Sequence, residues 1–299
     1  MNPILVYFDP AEDNVSAFKK AAYLARTLNT SLFLFTTGYN SSLANNHPVD
    51  AESGIRSRDA FIGRLEQSLT EEANLIRELG VDVSVKAVWD KSPWHAIATL
   101  LETEWFEFII KGTHHQNVMQ RTFFSSTDWD LIRCSPLPVL LVKSEPWPAE
   151  HLHLTACVDP IEHDDQPKIL DKAIVMQGKA WQDQLKSTLD VLNVYDPTPF
   201  MVYMDPPIPD TTPITEALAA QHQEALNALL NECGLPPEQG RLEAGTPTAT
   251  IPDVLYEGNT HIVIMGAQTR EGLGRWLIGH TAEKVLDRIT CDILVIKTG

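Results

Sequence analysis

Gly266, Gly272, Gly274 and Gly279 punctuate the segment that follows an apolar run, IVIM at 262–265, and leads into a helical pattern near residue 279. Glycine reaches backbone conformations closed to other residues, so such a segment can turn its amides inward and form an anion-binding nest. Gly279, His280 and Thr281 then open the helix, where free amides and the positive end of the helix dipole favour a phosphate. Thr281 can cap that helix or donate its hydroxyl to a ligand. The same glycines would also suit tight turns alone. The chain contains no GxxxxGK[ST] sequence, and the spacing is not that of a GxGxxG fingerprint, so lysine and magnesium phosphate chemistry has no assigned residues.

Asp159 follows the apolar run LTACV of the same half. A carboxylate there can accept hydrogen bonds from a ribose or an amino group; it can equally cap the turn that an Asp-Pro pair opens. His114 and His115 are adjacent on an irregular stretch and invite a zinc reading, with Asp9 or Asp128 as further ligands. Local spacing fixes no third and fourth ligand, and surface or packing histidines are the competing reading. Arg275 suits either a leaving phosphate or a solvent-facing salt link. No general base stands out, so no catalytic residue is assigned, and at most slow phosphate-ester hydrolysis is expected.

These residues sit in a pattern written twice. Residues 108–143 align with 262–297 without a gap at an offset of 154, which sets Gly112 on Gly266, Arg121 on Arg275, Thr127 on Thr281 and Lys143 on Lys297. ILVYFDP at 4–10 answers LTACVDP at 154–160 at an offset of 150. A chain of 299 residues has the size of two domains. The expected division is 1–144, a linker at 145–151 stiffened by Pro146 and Pro148, and 152–299.

Each half alternates strands with helices. In the first, strands are expected at 4–8, 31–35, in VDVSVKAVW, at the run ending in Gly112, and at 139–143. Helices are expected at 13–28, 62–80, 93–105 and 127–133. Gly80 is the expected stop of the second helix, Pro93 opens the third, and 38–56 has no clear period. The second half gives strands at 152–158, 189–195, 240–244, 261–265 and 293–297, with helices near 165–182, 213–233, 247–257 and 279–289. Such alternation implies right-handed crossovers onto a parallel sheet with the ligand site beyond the strands' carboxyl ends, where strand order reverses. The fold class is α/β, with two tandem doubly wound domains, each a five-stranded parallel sheet flanked by helices.

Composition excludes several functions. With 43% hydrophobic and 21% charged residues the chain is globular. No apolar run is long enough to cross a bilayer and no leader pattern is visible, so a cytoplasmic location is expected. A formal net charge of −17 repels nucleic acid and anionic membrane. The cysteines, Cys134, Cys157, Cys233 and Cys291, form no CxxC pair and are expected to be reduced.

The repeated halves and the run GAQTREGLGRWLIGHTAEKVLDRITCDILVIK resemble the universal stress protein family in its tandem two-domain form. That family's nucleotide motif is glycine, two residues, glycine, nine residues, then glycine and serine or threonine. Gly266 and Gly279 match its first and third glycines; Thr269 stands at the second and His280 at the hydroxyl position, with Thr281 one later. In the first half only Gly112 matches, with His115, Ser125 and Ser126 at the other positions.

The resemblance implies ATP or AMP as ligand, Asp159 facing base and ribose, and the segment from Gly266 through Thr269, Gly272 and Gly274 to Gly279, His280 and Thr281 facing phosphates. It also implies that the last strands of the halves pair as an intramolecular pseudo-dimer. The reading is a stress-response regulator that binds a nucleotide or related phosphorylated metabolite mainly in the second domain, with an unidentified protein partner. The alternatives are a protein-interaction scaffold without nucleotide, and a weak ATP hydrolase or metal-binding enzyme.

Overall fold

The computed structural model describes residues 2–10, 12, 14–45, 51–113, 124–143, 146–148, 151–161, 167–198, 212–269, 276–277 and 280–298. The chain divides into two compact units, one mainly Met1–His115 with Leu137–Pro146, the other mainly Trp147–Gly299.

The first unit runs β1 (Ile4–Phe8), α1 (Val15–Leu28), β2 (Leu32–Gly38), α2 (Ser41–Asn45), α3 (Ala51–Glu78), β3 (Val83–Trp89), α4 (Pro93–Leu101), β4 (Ile109–Gly112), α5 (Ser126–Cys134) and β5 (Val139–Val142). Its strands pair in the order β3-β2-β1-β4-β5, every pair parallel. Because the chain winds outward from β1 in both directions, the order reverses between β1 and β4, and a crevice opens at their carboxyl ends.

Continuous apolar runs form the central strands because both sheet faces are covered. Ile4, Leu5, Val6, Ile109, Ile110, Val139, Leu140 and Leu141 are fully buried, each burial of such a side chain being worth about 1.5–3 kcal/mol. Helix α1 turns Ala17, Ala21 and Leu24 inward. Asn14 is its N-cap residue, but the Asn14 side chain makes no cap hydrogen bond to the helix. Its amide instead donates to Asp9 O and Glu12 O, each at 2.8 Å, and fastens the turn between β1 and α1.

Sequence periodicity predicts the next helix at 62–80 and finds no clear period over 38–56. In fact β2 reaches Gly38, α2 is a short helix, and α3 begins at Ala51. The buried face of α3 is carried by Leu69, Ala73 and Ile76, whereas Ile55 is exposed. Its early turns lack an apolar stripe, which is why periodicity missed them. Gly80 does end it, at φ +84°, a left-handed conformation suited to glycine, with its N–H donating to Arg77 O at 2.9 Å.

The second unit runs β6 (His153–Val158), α6 (Pro167–Leu185), β7 (Thr188–Tyr195), α7 (Thr212–Cys233), a 3-10 turn at Pro237–Gln239, β8 (Gly240–Ala244), α8 (Pro247–Glu257), β9 (Ile262–Thr269), β10 (Trp276–Leu277), α9 (His280–Leu286) and β11 (Asp292–Lys297). The parallel order β8-β7-β6-β9-β11 repeats that of the first unit. Strand β10 is an addition: it pairs antiparallel with the end of β9, Trp276 opposite Thr269 and Leu277 opposite Gln268.

Candidate functional sites at two strand ends

At the carboxyl ends of β1 and β4 in the first unit, the crevice is occupied by the chain's own charges. Lys111 stands one residue before the end of β4 and is fully buried. Its ammonium donates to both carboxylate oxygens of Glu12 at 3.0 Å and to Gly112 O at 2.8 Å. It forms an ion pair with Asp128 Oδ1 at 3.0 Å and lies 4.0 Å from Asp9 Oδ2. Burial alone would pull the ammonium's pKa down, but the Asp128 and Glu12 carboxylates reverse this and hold it above the usual lysine range. Burial raises the Glu12 carboxyl, opposed by Lys111.

The start of α5 is self-satisfied too. Ser125 donates to Asp128 Oδ2 from its backbone N–H at 2.7 Å and its hydroxyl at 3.0 Å, while Asp128 N–H donates back to Ser125 Oγ at 3.2 Å. This is a reciprocal cap. The Ser125 N–H and hydroxyl, which could have met an external anion at this helix start, already hold a carboxylate of the protein. Asp9 and Asp128, weighed above as zinc ligands, here surround an ammonium.

The second unit is chemically different at the same place. At an offset of 154, Met265 replaces Lys111 and Ala282 replaces Asp128; Met265 is buried. Asp159, just beyond β6, keeps solvent contact. Its backbone N–H donates to Asp171 Oδ1 of α6 at 3.2 Å. Desolvation raises its carboxyl above the usual range, while His222 and a hydrogen bond from the Ile161 backbone draw it back down. That Ile161 bond is the turn cap expected of an Asp-Pro opening.

His222 is the functional candidate that sequence reasoning missed. It projects from α7 and is only 9% exposed. Its Nδ1 lies 2.9 Å from Asn193 Oδ1, the Asn193 amide donates to Val158 O at 3.0 Å, and Tyr195 stacks on the ring with centroids 4.9 Å apart. This chain of contacts sets the imidazole at the end of β6, next to Asp159. Burial lowers the pKa of His222, with Asp159 acting the other way. The available signals were a single asparagine inside the apolar run VLNVY and a histidine inside a helical pattern, neither with a local partner.

Gly266 does not follow its strand, as the sequence suggested, but lies inside β9 in register with Ile296. A Cβ there would stand 2.6 Å from Leu170 Cδ2 and 2.9 Å from Ile174 Cδ1, so its lack of a side chain admits α6 against the sheet. Strand β9 extends beyond the expected 261–265 because β11 pairs with it as far as Ala267 and β10 continues the pairing to Thr269. Backbone pairing therefore engages Thr269, and His280 and Thr281 begin α9. Gly272, Gly274, Arg275 and Gly279 lie outside the described residues, as do His114 and His115.

Among the described residues, no group of three or more His, Cys, Asp or Glu side chains is arranged to hold a metal ion. Nor is any helix among them long and apolar enough to cross a membrane. Asp90 and His95 meet at 2.6 Å. That contact lies on the surface at the start of α4, where Ser92 N–H also donates to Asp90 at 2.8 Å.

Comparison with known proteins agrees with the doubled architecture. The model of the Universal stress protein family matches residues 1–143 and again 153–297. The chain is 28% identical over 295 residues to Universal stress protein E of Escherichia coli strain K12, covering 98% of this chain and 93% of the relative. It is 26% identical to the Universal stress protein E homolog of Haemophilus influenzae over 299 residues, covering 98% and 96%. Among solved structures, a functionally unknown protein of Pseudomonas aeruginosa PAO1 superposes with a TM-score of 0.74 at 26% identity, covering 99% of this chain and 92% of the other. A universal stress protein of Archaeoglobus fulgidus shares the fold at a TM-score of 0.70 and 16% identity, covering 100% and 99%.

Proposed function

The chain belongs to the universal stress protein family, and from that premise we propose that it is a stress-response regulator in which the second domain, 152–299, binds a nucleotide or related phosphorylated metabolite. The first domain, 1–144, does not bind one and offers a surface to a protein partner. The observation that carries this reading is the contrast between the strand ends. Lys111, Glu12 and Asp128 fill the first with an internal ion cluster, whereas in the second Asp159 keeps solvent contact and Met265 stands buried at the position of Lys111.

In this reading Asp159 meets the ribose or base of ATP or AMP. Amides from the segment holding Thr269, Gly272, Gly274, Gly279, His280 and Thr281 meet the phosphates, with the start of α9 contributing its dipole. Binding rather than turnover is the activity proposed, with ATP hydrolysis at most slow. Titration calorimetry of the full chain with ATP and AMP tests this. One nucleotide per chain is expected, and Gly279→Val should weaken binding at least tenfold while leaving the thermal midpoint in place, because a branched side chain blocks backbone approach. Unchanged affinity in a folded Gly279→Val variant would remove the glycine segment from the site.

A further inference from the structure

We propose that His222 is a ligand-reading residue of the second domain, its Nε2 accepting a hydrogen bond from a hydroxyl or amino group of the bound nucleoside. This rests on the nucleotide reading above and names a specificity contact within it.

The Asn193 amide fixes the tautomer of the imidazole. Its Nδ2 donates to Val158 O at 3.0 Å, which turns its Oδ1 toward His222 Nδ1 at 2.9 Å. An amide oxygen only accepts, so Nδ1 must carry the proton. In a neutral imidazole the other nitrogen is then an acceptor, and burial favours the neutral ring here. Asn193 is fully buried and Tyr195 stacks on the ring, so tautomer and orientation are both held. Among the described residues Nε2 meets no hydrogen-bond donor.

This acceptor stands at the carboxyl ends of β6 and β7, beside Asp159. Two acceptors at one strand end suit a ligand edge rich in donors, such as a ribose diol or an exocyclic amine. The first domain lacks the device. At the matching register, where Phe8 pairs with Thr36 as Val158 pairs with Asn193, the Thr36 hydroxyl donates directly to Phe8 O at 2.8 Å and no histidine is involved.

The test uses the full chain, with AMP as probe and 2′-deoxy-AMP and IMP as arms lacking one donor each. His222→Asn keeps a polar group where Nδ1 was and removes the acceptor; His222→Gln places an amide near Nε2. AMP affinity should fall about tenfold or more in His222→Asn and recover in part in His222→Gln. The analogue that lacks the recognised donor should bind wild type weakly and be indifferent to His222→Asn. Nitrogen-15 NMR of the wild type supplies a readout independent of variant folding: the His222 Nε2 resonance should report an unprotonated nitrogen and move when AMP is added. Wild-type affinity in a folded His222→Asn variant, or an Nε2 resonance unmoved by bound AMP, overturns the proposal alone. Absence of AMP and ATP binding by the wild type overturns the nucleotide reading and the histidine's role with it.

Discussion

The two halves of this chain build the same five parallel strands in the same order, and then treat the crevice above β1 and β6 in opposite ways. In the first, a lysine on β4 reaches into the crevice and gathers carboxylates from the β1–α1 turn and from α5. In the second, a methionine takes the lysine's position, and the polar groups near the strand end are an aspartate in contact with solvent and a histidine whose second nitrogen is left to accept. The scaffold is indifferent to this choice. A doubly wound sheet positions whatever residues stand at its switch point, and those residues decide whether the crevice is a site or a plug.

The largest effect expected from breaking the contrast comes from Lys111→Met, which installs the second domain's residue in the first. It strands two buried carboxylates, and removing one partner of a buried ion pair costs about 3–5 kcal/mol. Urea denaturation should show a loss of that size, and adding Asp128→Ala should recover part of it. A loss near zero would mean that the cluster does not hold the first crevice closed.

A smaller effect separates packing from ligand contact in the second domain. Gly266→Ala pushes a methyl group against Leu170 and Ile174, and overpacking of this kind costs about 1–3 kcal/mol. Stability should fall while AMP affinity, measured below the new thermal midpoint, stays near that of the wild type. Lost affinity at intact stability would return Gly266 to the phosphate site.

Much of the fold was legible because it is written in short-range patterns. The runs ILVYF and IVIM, the Pro93 and Gly80 boundaries and the repeat at offset 154 each announce themselves within a few residues. The start of α3 was not legible, since its early sequence carries no apolar stripe and its Ile55 is exposed. Gly266 was misplaced for a related reason: strand pairing with β11, and not local sequence, decides where β9 ends.

The site was less legible than the fold. Asp159 could be named from its position after an apolar run. The Lys111 cluster joins residues 99 positions apart, and the His222 to Asn193 contact spans 29, so no window of sequence contains either. Each left a trace, a lysine or an asparagine inside an otherwise buried strand. Such a residue must find a partner, but the sequence does not say which.

Photolabelling of the full chain with an azido-adenine nucleotide, followed by mapping of the labelled peptides, tests the asymmetry most directly. Label confined to peptides from 152–299, and displaced by unlabelled AMP, is the expected result. Equal displaceable labelling of peptides from 1–144 would contradict it, because it would place a nucleotide where Lys111, Glu12 and Asp128 already stand.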